Sequence, residues 1–130
     1  MFFKFIEQQI KEEYKHYLST KKEDYVLNLK KRNQIISNSN YKLNELFVFL
    51  NDLKLTLYIQ NIKVESLKDL AKILREERKA RCITKLQLLT EYGLNFNLIN
   101  KIETGKNIEK ETLKKYLVFL PPLKISIQRN

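Results

Sequence analysis

Apolar residues recur at helical spacing along most of the chain. Ile6, Ile10 and Tyr14, at i, i+4 and i+8, predict an opening helix. Leu67, Leu70, Ala71 and Leu74 in ESLKDLAKILREERKARC predict an amphipathic helix with a charged outer face. TKLQLLTEYG predicts the next, with Thr84 as N-cap, Leu88 and Tyr92 turned inward, and Gly93 supplying the positive φ that ends it. Only Leu94 separates that glycine from Asn95, a second N-cap. Two helices joined by a turn of about three residues have the spacing of a helix-turn-helix. In the third helix, NFNLINKIETGK, Leu98, Ile99 and Ile102 form one arc, and Asn97, Asn100 and Lys101 form the opposite one.

The period then changes. After KETLKKYLVFL and Pro121-Pro122, Leu123, Ile125 and Ile127 alternate with Lys124 and Ser126, as in a strand with one buried face. The first half holds a counterpart. Leu46, Leu50 and Leu53 share a helix face and are followed by alternating Leu55, Leu57 and Ile59. Leu46 to Leu113 is 67 residues, and Ile59 to Ile127 is 68. The pattern predicts a mainly α chain of two tandem halves, 1–60 and 61–130. Segments 55–59 and 123–127 would pair as a two-stranded antiparallel sheet, within one chain or between two, and residues 60–66 would form a linker. Further back, KKEDYVLNLKKRNQIISN aligns Tyr25, Val26 and Leu29 with Leu88, Leu89 and Tyr92, and Ile36 with Ile99. This first copy lacks the turn glycine, Lys30 standing there, and the Gly-Lys after its third helix.

Composition supports helices: 43% of the 130 residues are hydrophobic and there are only two Gly and two Pro. Cys82 is alone, which excludes an internal disulfide, and its apolar neighbourhood predicts an inert core thiol. His16 is also alone and predicts a surface or half-buried residue. No apolar run reaches the roughly 18–20 residues of a membrane span, and the start turns charged too soon for a signal peptide. The expectation is a cytoplasmic protein.

Charge adds a partner. The net charge is +10, with 11 basic and 8 acidic residues in 1–65 against 14 and 7 in 66–130. A basic excess of this kind suits a polyanion, most often nucleic acid. Asparagine offers a donor and an acceptor to an adenine edge, and lysine reaches guanine acceptors or a phosphate. Asn97, Asn100 and Lys101 are therefore candidate base readers, against the plainer alternative of a solvated helix face. No carboxylate pair, nucleophile–base pair, phosphate loop or metal constellation stands out, so neither an enzyme nor a cofactor is expected.

These residues resemble the helix-turn-helix of Xre-type regulators, the Cro and phage-repressor class. The resemblance runs from Leu67 to Leu120 and rests on Thr84, Leu88, Gly93, Ile99, the Ile102-Glu103-Xaa-Gly105-Lys106 string and Glu111-Thr112-Leu113. It implies that the third helix enters the major groove, with Asn97, Asn100 and Lys101 reading bases, helped by Phe96. Asn95, Lys85 and Lys106 would hold the phosphate backbone. There are departures: Lys85 stands where the family has Gln, Leu89 where it prefers a small residue, and Phe96 where it is polar. The closing helix and strand are similar to HipB-type antitoxins, dimers that repress their own operon and bind a kinase toxin. By that resemblance the chain looks like such a dimer fused into one polypeptide, a monomeric pseudo-dimer or a homodimer of it. Arg32, Asn33, Gln34 and Ser37 would form a second reading head. The expected function is a sequence-specific double-stranded DNA-binding regulator, with a kinase-like toxin as a further partner. The alternative is a protein-interaction module that has kept the fold and lost the readout.

Overall fold

The computed structural model describes residues 2–20 and 25–130, with residues 17–20 as backbone only. Its elements are α1 (Phe2–Thr20), α2 (Leu29–Ile36), α3 (Leu43–Asp52), β1 (Leu55–Ile59), β2 (Ile62–Val64), α4 (Leu67–Ala80), α5 (Lys85–Tyr92), α6 (Phe96–Glu103), α7 (Lys110–Leu117) and β3 (Ile125–Arg129). The chain is mainly helical, with one small antiparallel sheet. Among the described residues no helix is long and apolar enough to cross a membrane.

The predicted apolar arcs are the core. Ile6, Ile10 and Tyr14 of α1, Leu46 and Leu50 of α3, and Leu70, Ala71 and Leu74 of α4 are all buried. Leu53 lies one residue beyond α3 and is still buried. A single apolar cluster takes residues from both halves, so burying these side chains ties the halves together.

The sheet has three strands, in the order β2-β1-β3. The expected linker supplies the third. Gln60 and Asn61 adopt φ of 53° and 64°, as a tight two-residue hairpin turn requires, and Ile59 then pairs with Ile62. The hydrophobic pattern missed β2 because it is short and its first two residues are exposed. β1 and β3 pair antiparallel within the chain, but the register runs from Leu55 opposite Arg129 to Ile59 opposite Ile125. The strand thus begins two residues later than predicted. Pro121 and Pro122 have no N–H to give a ladder. Lys124 closes the ladder instead, accepting from the Gln60 N–H at 2.8 Å while its own N–H donates to Gln60 Oε1 at 2.7 Å.

Element positions recur at a fixed interval. Leu29–Ile36 and Phe96–Glu103 are 67 residues apart at both ends, as are the starts of α3 and α7. Asn28 and Asn95, the same distance apart, each cap their helix by accepting from a backbone N–H three residues on. Where the halves meet, Lys42 bridges Glu109, again 67 residues away. The Leu43 N–H donates to Ile108 O and the Lys110 N–H to Tyr41 O, both at 2.8 Å. Around this bridge the Asn44 N–H donates to Asn107 Oδ1 at 3.0 Å, and the Glu111 N–H to Asn40 Oδ1 at 3.1 Å. Asn40 and Asn107 therefore each satisfy an otherwise orphaned N–H in the first turn of the other half's helix. In the sheet the interval is 70, with Leu57 opposite Ile127, not the 68 read from the sequence. The longer chain between α7 and β3, which carries the two prolines, accounts for the change.

Three expectations about side chains are corrected. Residues 25–28 are not helical. The N–H groups of Val26 and Leu27 donate to the Asp52 carboxylate at 3.0 Å each, drawing this stretch towards the end of α3. The alignment of Tyr25, Val26 and Leu29 with Leu88, Leu89 and Tyr92 therefore fails, and Ile35 rather than Ile36 occupies the place of a buried isoleucine, Ile102. The part of that alignment over 21–24 lies outside the described residues. Cys82 is exposed, because φ of 58° after the end of α4 turns its backbone out of the helix. Tyr92 is 43% exposed and leans on Phe119, their ring centroids 5.8 Å apart. His16 is exposed, as expected.

Candidate nucleic-acid interface

The geometry of α5 and α6 follows from a few capping residues. Thr84 Oγ1 accepts from the Gln87 N–H at 3.1 Å while Gln87 Oε1 accepts from the Thr84 N–H at 2.8 Å, a reciprocal capping box. Gly93 ends α5 with φ of 71°. A Cβ there would meet nothing within 4 Å, so glycine is needed for the backbone angle and not for space. Leu94 is buried, and Asn95 Oδ1 accepts from the Leu98 N–H at 2.7 Å to start α6. The three-residue turn is as predicted.

Within α6, Ile99 and Ile102 are buried and Leu98 half-buried. Asn97, Asn100 and Lys101 are exposed on the other side, as are Asn95 and, at 44%, Phe96. Lys85 at the start of α5 reaches across the turn, its Nζ donating to Asn100 Oδ1 at 2.9 Å. In that state one lone pair of Asn100 Oδ1 is taken, and the Nδ2 group keeps both of its donors. Those donors suit acceptor atoms such as guanine O6 or thymine O4, and a two-point adenine contact would share Oδ1 with Lys85. The same contact joins Lys85 to the outer arc of α6.

Beyond α6, Gly105 takes φ of 78°, and a Cβ would lie 3.0 Å from Lys68 Cα. The turn after α6 is thus pressed against the start of α4. The Lys106 N–H donates to Lys101 O at 3.0 Å. Lys68, Lys101 and Lys106 are exposed, and among the described residues none of them has a carboxylate partner.

A buried polar cluster sets the angle of α6. Glu103, its last residue, receives Arg78 Nε at 2.6 Å and Arg78 Nη2 at 3.0 Å, and the Tyr116 hydroxyl at 2.6 Å. Arg78 Nη1 donates to Ile83 O at 2.8 Å, and Arg75 Nη1 to Glu103 O at 3.2 Å. α6 is so fixed to α4 and α7. Burial alone would push the Glu103 carboxyl up, but the hydrogen bonds from Arg78 and Tyr116 and the charges of Arg78 and Lys85 hold it below the ordinary value. Arg78 is held up by its bonds to Glu103. Burial and the Glu103 bond push the Tyr116 hydroxyl up. Arg78 belongs to the charged residues expected on the outer face of α4, and the structure buries it. The spacing Leu70, Leu74, Arg78, i, i+4 and i+8, already puts it on the buried arc.

The second set of candidate readers is split by the structure. Arg32 turns inward: its Nε donates to Leu27 O at 3.0 Å, Nη1 to the Tyr14 hydroxyl at 2.6 Å, and its guanidinium lies 4.1 Å from the Tyr25 ring centroid. Ser37 is the C-cap of α2, its hydroxyl within reach of Gln34 O and Ser39. Asn33 is exposed and Gln34 half-buried. At the 67-residue interval Arg32 corresponds to the core residue Ile99, and Ser37 to the C-cap Thr104. Asn33 and Gln34 correspond to Asn100 and Lys101, and Leu29 and Lys30 to Phe96 and Asn97. Leu29 and Lys30 are exposed and were missed because the earlier alignment was four residues out of step.

No protein-family model, no curated protein and no solved structure matches the chain.

Proposed function

We propose that the chain is a double-stranded DNA-binding regulator of Xre type, built as two tandem copies of one unit within a single polypeptide. α4 to α7 are the better-kept copy, α5 and α6 its helix-turn-helix, and α1 to α3 the divergent one. The observation that carries this reading is the outer arc of α6. It holds two amides, Asn97 and Asn100, and one lysine, Lys101, exposed to solvent, on a helix whose start, end and angle are each fixed by named bonds. Asn97, Asn100 and Lys101 read bases, and Lys85, Asn95 and Lys106 hold phosphates. In the divergent copy, Lys30, Asn33 and Gln34 take the place first given to Arg32 and Ser37. The common 67-residue interval and the reciprocal Asn40 and Asn107 contacts support the tandem arrangement. Two unlike heads imply an asymmetric operator. By the same resemblance the regulator is an antitoxin whose second partner is a kinase-like toxin.

Selection from a random pool of duplexes tests this. The protein is expected to enrich one motif, and log affinity is expected to fall linearly with log salt as counterions leave the duplex. Asn97→Ala and Asn100→Ala are each expected to relax the motif by about 1–3 kcal/mol. Lys106→Ala is expected to weaken specific and non-specific duplexes alike. Absence of duplex binding at low salt removes the reading.

One observation favours a second reading, a protein-interaction module of the same fold. Leu86 is 60% exposed, and Leu89, Tyr92 and Phe96 are 37–44% exposed, so α5 and the start of α6 carry apolar side chains that a phosphate backbone does not need. Loss of toxin binding in Leu86→Asp with DNA binding retained would assign this patch to a protein partner.

A further inference from the structure

A groove of about 750 Å³ runs between the start of α1, the end of α7, the Pro121-Pro122 segment and β3. It lies apart from α5 and α6. Its walls are mostly apolar, among them Phe3, Phe5, Leu117, Val118, Pro122 and Leu123. Phe5 is 42% and Val118 73% exposed, so the apolar surface is open to solvent. Its size is that of a small-ligand site, which typically spans about 300–1,000 Å³.

The polar groups of the lining define the ligand. Four carry charge, three lysines and one glutamate. Glu7 and Lys110 pair with each other at 2.9 Å and are both buried, so they cancel. Lys4 is exposed and has no carboxylate partner among the described residues; Lys114 reaches Glu111 at 3.6 Å with both side chains about half exposed. The rim is left cationic. Asn38 O already accepts from Lys110 Nζ at 3.2 Å. β3 is an edge strand, but only its first residue, Ile125, lines the groove, so an extended peptide laid here would leave most of its backbone N–H and C=O groups without a ladder to join, at a cost for each one buried. A hydrocarbon chain has no such groups.

We propose that this groove binds an anionic amphiphile, a compound with a hydrocarbon body of medium acyl length and one carboxylate. The body lies on Phe3, Phe5, Leu117 and Val118, and the carboxylate meets Lys4 and Lys114 at the rim. The site is independent of the DNA reading.

Calorimetric titration of the full chain tests it, with decanoate as the anionic probe, 1-decanol as the neutral one, and a designed helix with a leucine stripe and a glutamate face as a peptide probe. Decanoate is expected to bind one to one, and decanol about tenfold more weakly. Lys4→Gln with Lys114→Gln is expected to weaken decanoate about tenfold and leave decanol unchanged. Val118→Asp is expected to abolish both. All three residues are exposed, and an unchanged thermal melt by circular dichroism shows that each variant folds. The proposal is overturned if decanoate shows no saturable binding, if the glutamine variant or Val118→Asp binds decanoate like the parent, or if the peptide saturates the site and decanoate does not displace it.

Discussion

Replacing Glu103 by alanine lowers the unfolding free energy by about 3–5 kcal/mol, the range for removing one partner of a buried ion pair. The loss comes less from the missing attraction than from what stays behind. Arg78 is 5% exposed, and without the carboxylate it keeps only the bond from Nη1 to Ile83 O. The Tyr116 hydroxyl keeps a long contact of 3.4 Å to Leu74 O. Glu103→Gln keeps one oxygen to accept from Arg78 Nε and the Tyr116 hydroxyl, loses the bond from Arg78 Nη2 and carries no charge, so it costs less than alanine. Urea unfolding followed by circular dichroism orders the three proteins. The same pair gives a pH dependence. The Glu103 carboxyl titrates lower in the folded chain than its ordinary value of 4.5, so its contribution is fully present above that value and is lost as pH falls below it. The parent is expected to lose stability on acidification below about pH 4.5, and Glu103→Gln to lose less. Equal acid sensitivity in the two proteins would show that Glu103 does not hold this linkage.

The legible parts of the fold were those in which one residue does one local job. Thr84, Gly93 and Asn95 cap or end helices through their own side chains or backbone angle, and each stands where the sequence put it. Ile6, Ile10, Leu74, Ile99 and Ile102 follow a period, and a period survives averaging over neighbours. What escaped depends on partners far along the chain. The stretch before α2 is set by Asp52, 25 residues beyond Leu27. The sheet interval of 70 instead of 68 depends on two prolines and on Gln60 meeting Lys124. Cys82 looks apolar by neighbourhood, and only its backbone angle turns it out.

The candidate site divides in the same way. Exposure of Asn97, Asn100 and Lys101 follows from helical geometry, once Ile99 and Ile102 are known to be inside. The Lys85–Asn100 contact crosses a turn and leaves no mark on periodicity. Arg32 was a reasonable surface arginine until Tyr14 and Tyr25 are placed against it from α1 and the loop before α2.

Lys110→Met is expected to cost about 3–5 kcal/mol, for the same reason but at a different place. Lys110 opens α7, Glu7 belongs to α1, and the pair is buried where the two halves join. Glu7 also accepts from the Tyr41 hydroxyl at 2.6 Å, and the Lys110 ammonium sits 5.0 Å from the Tyr41 ring centroid. Methionine keeps most of the lysine's volume and removes its charge, leaving the Glu7 carboxylate with one hydrogen bond in an apolar setting. Adding Glu7→Gln removes the stranded charge and keeps an oxygen for Tyr41. The double variant is therefore expected to regain at least about half of the loss, which is the signature of a coupled pair. The location adds a second consequence. The apolar cluster is shared by both halves, and the Lys42–Glu109 bridge with its asparagine contacts spans the same junction. The parent should unfold in one cooperative step, with denaturation curves by circular dichroism and by tyrosine fluorescence superimposed. Lys110→Met shifts both curves together to lower denaturant. Two separated transitions in the parent, or losses that simply add in the double variant, would show that the halves are held together by something other than this buried junction.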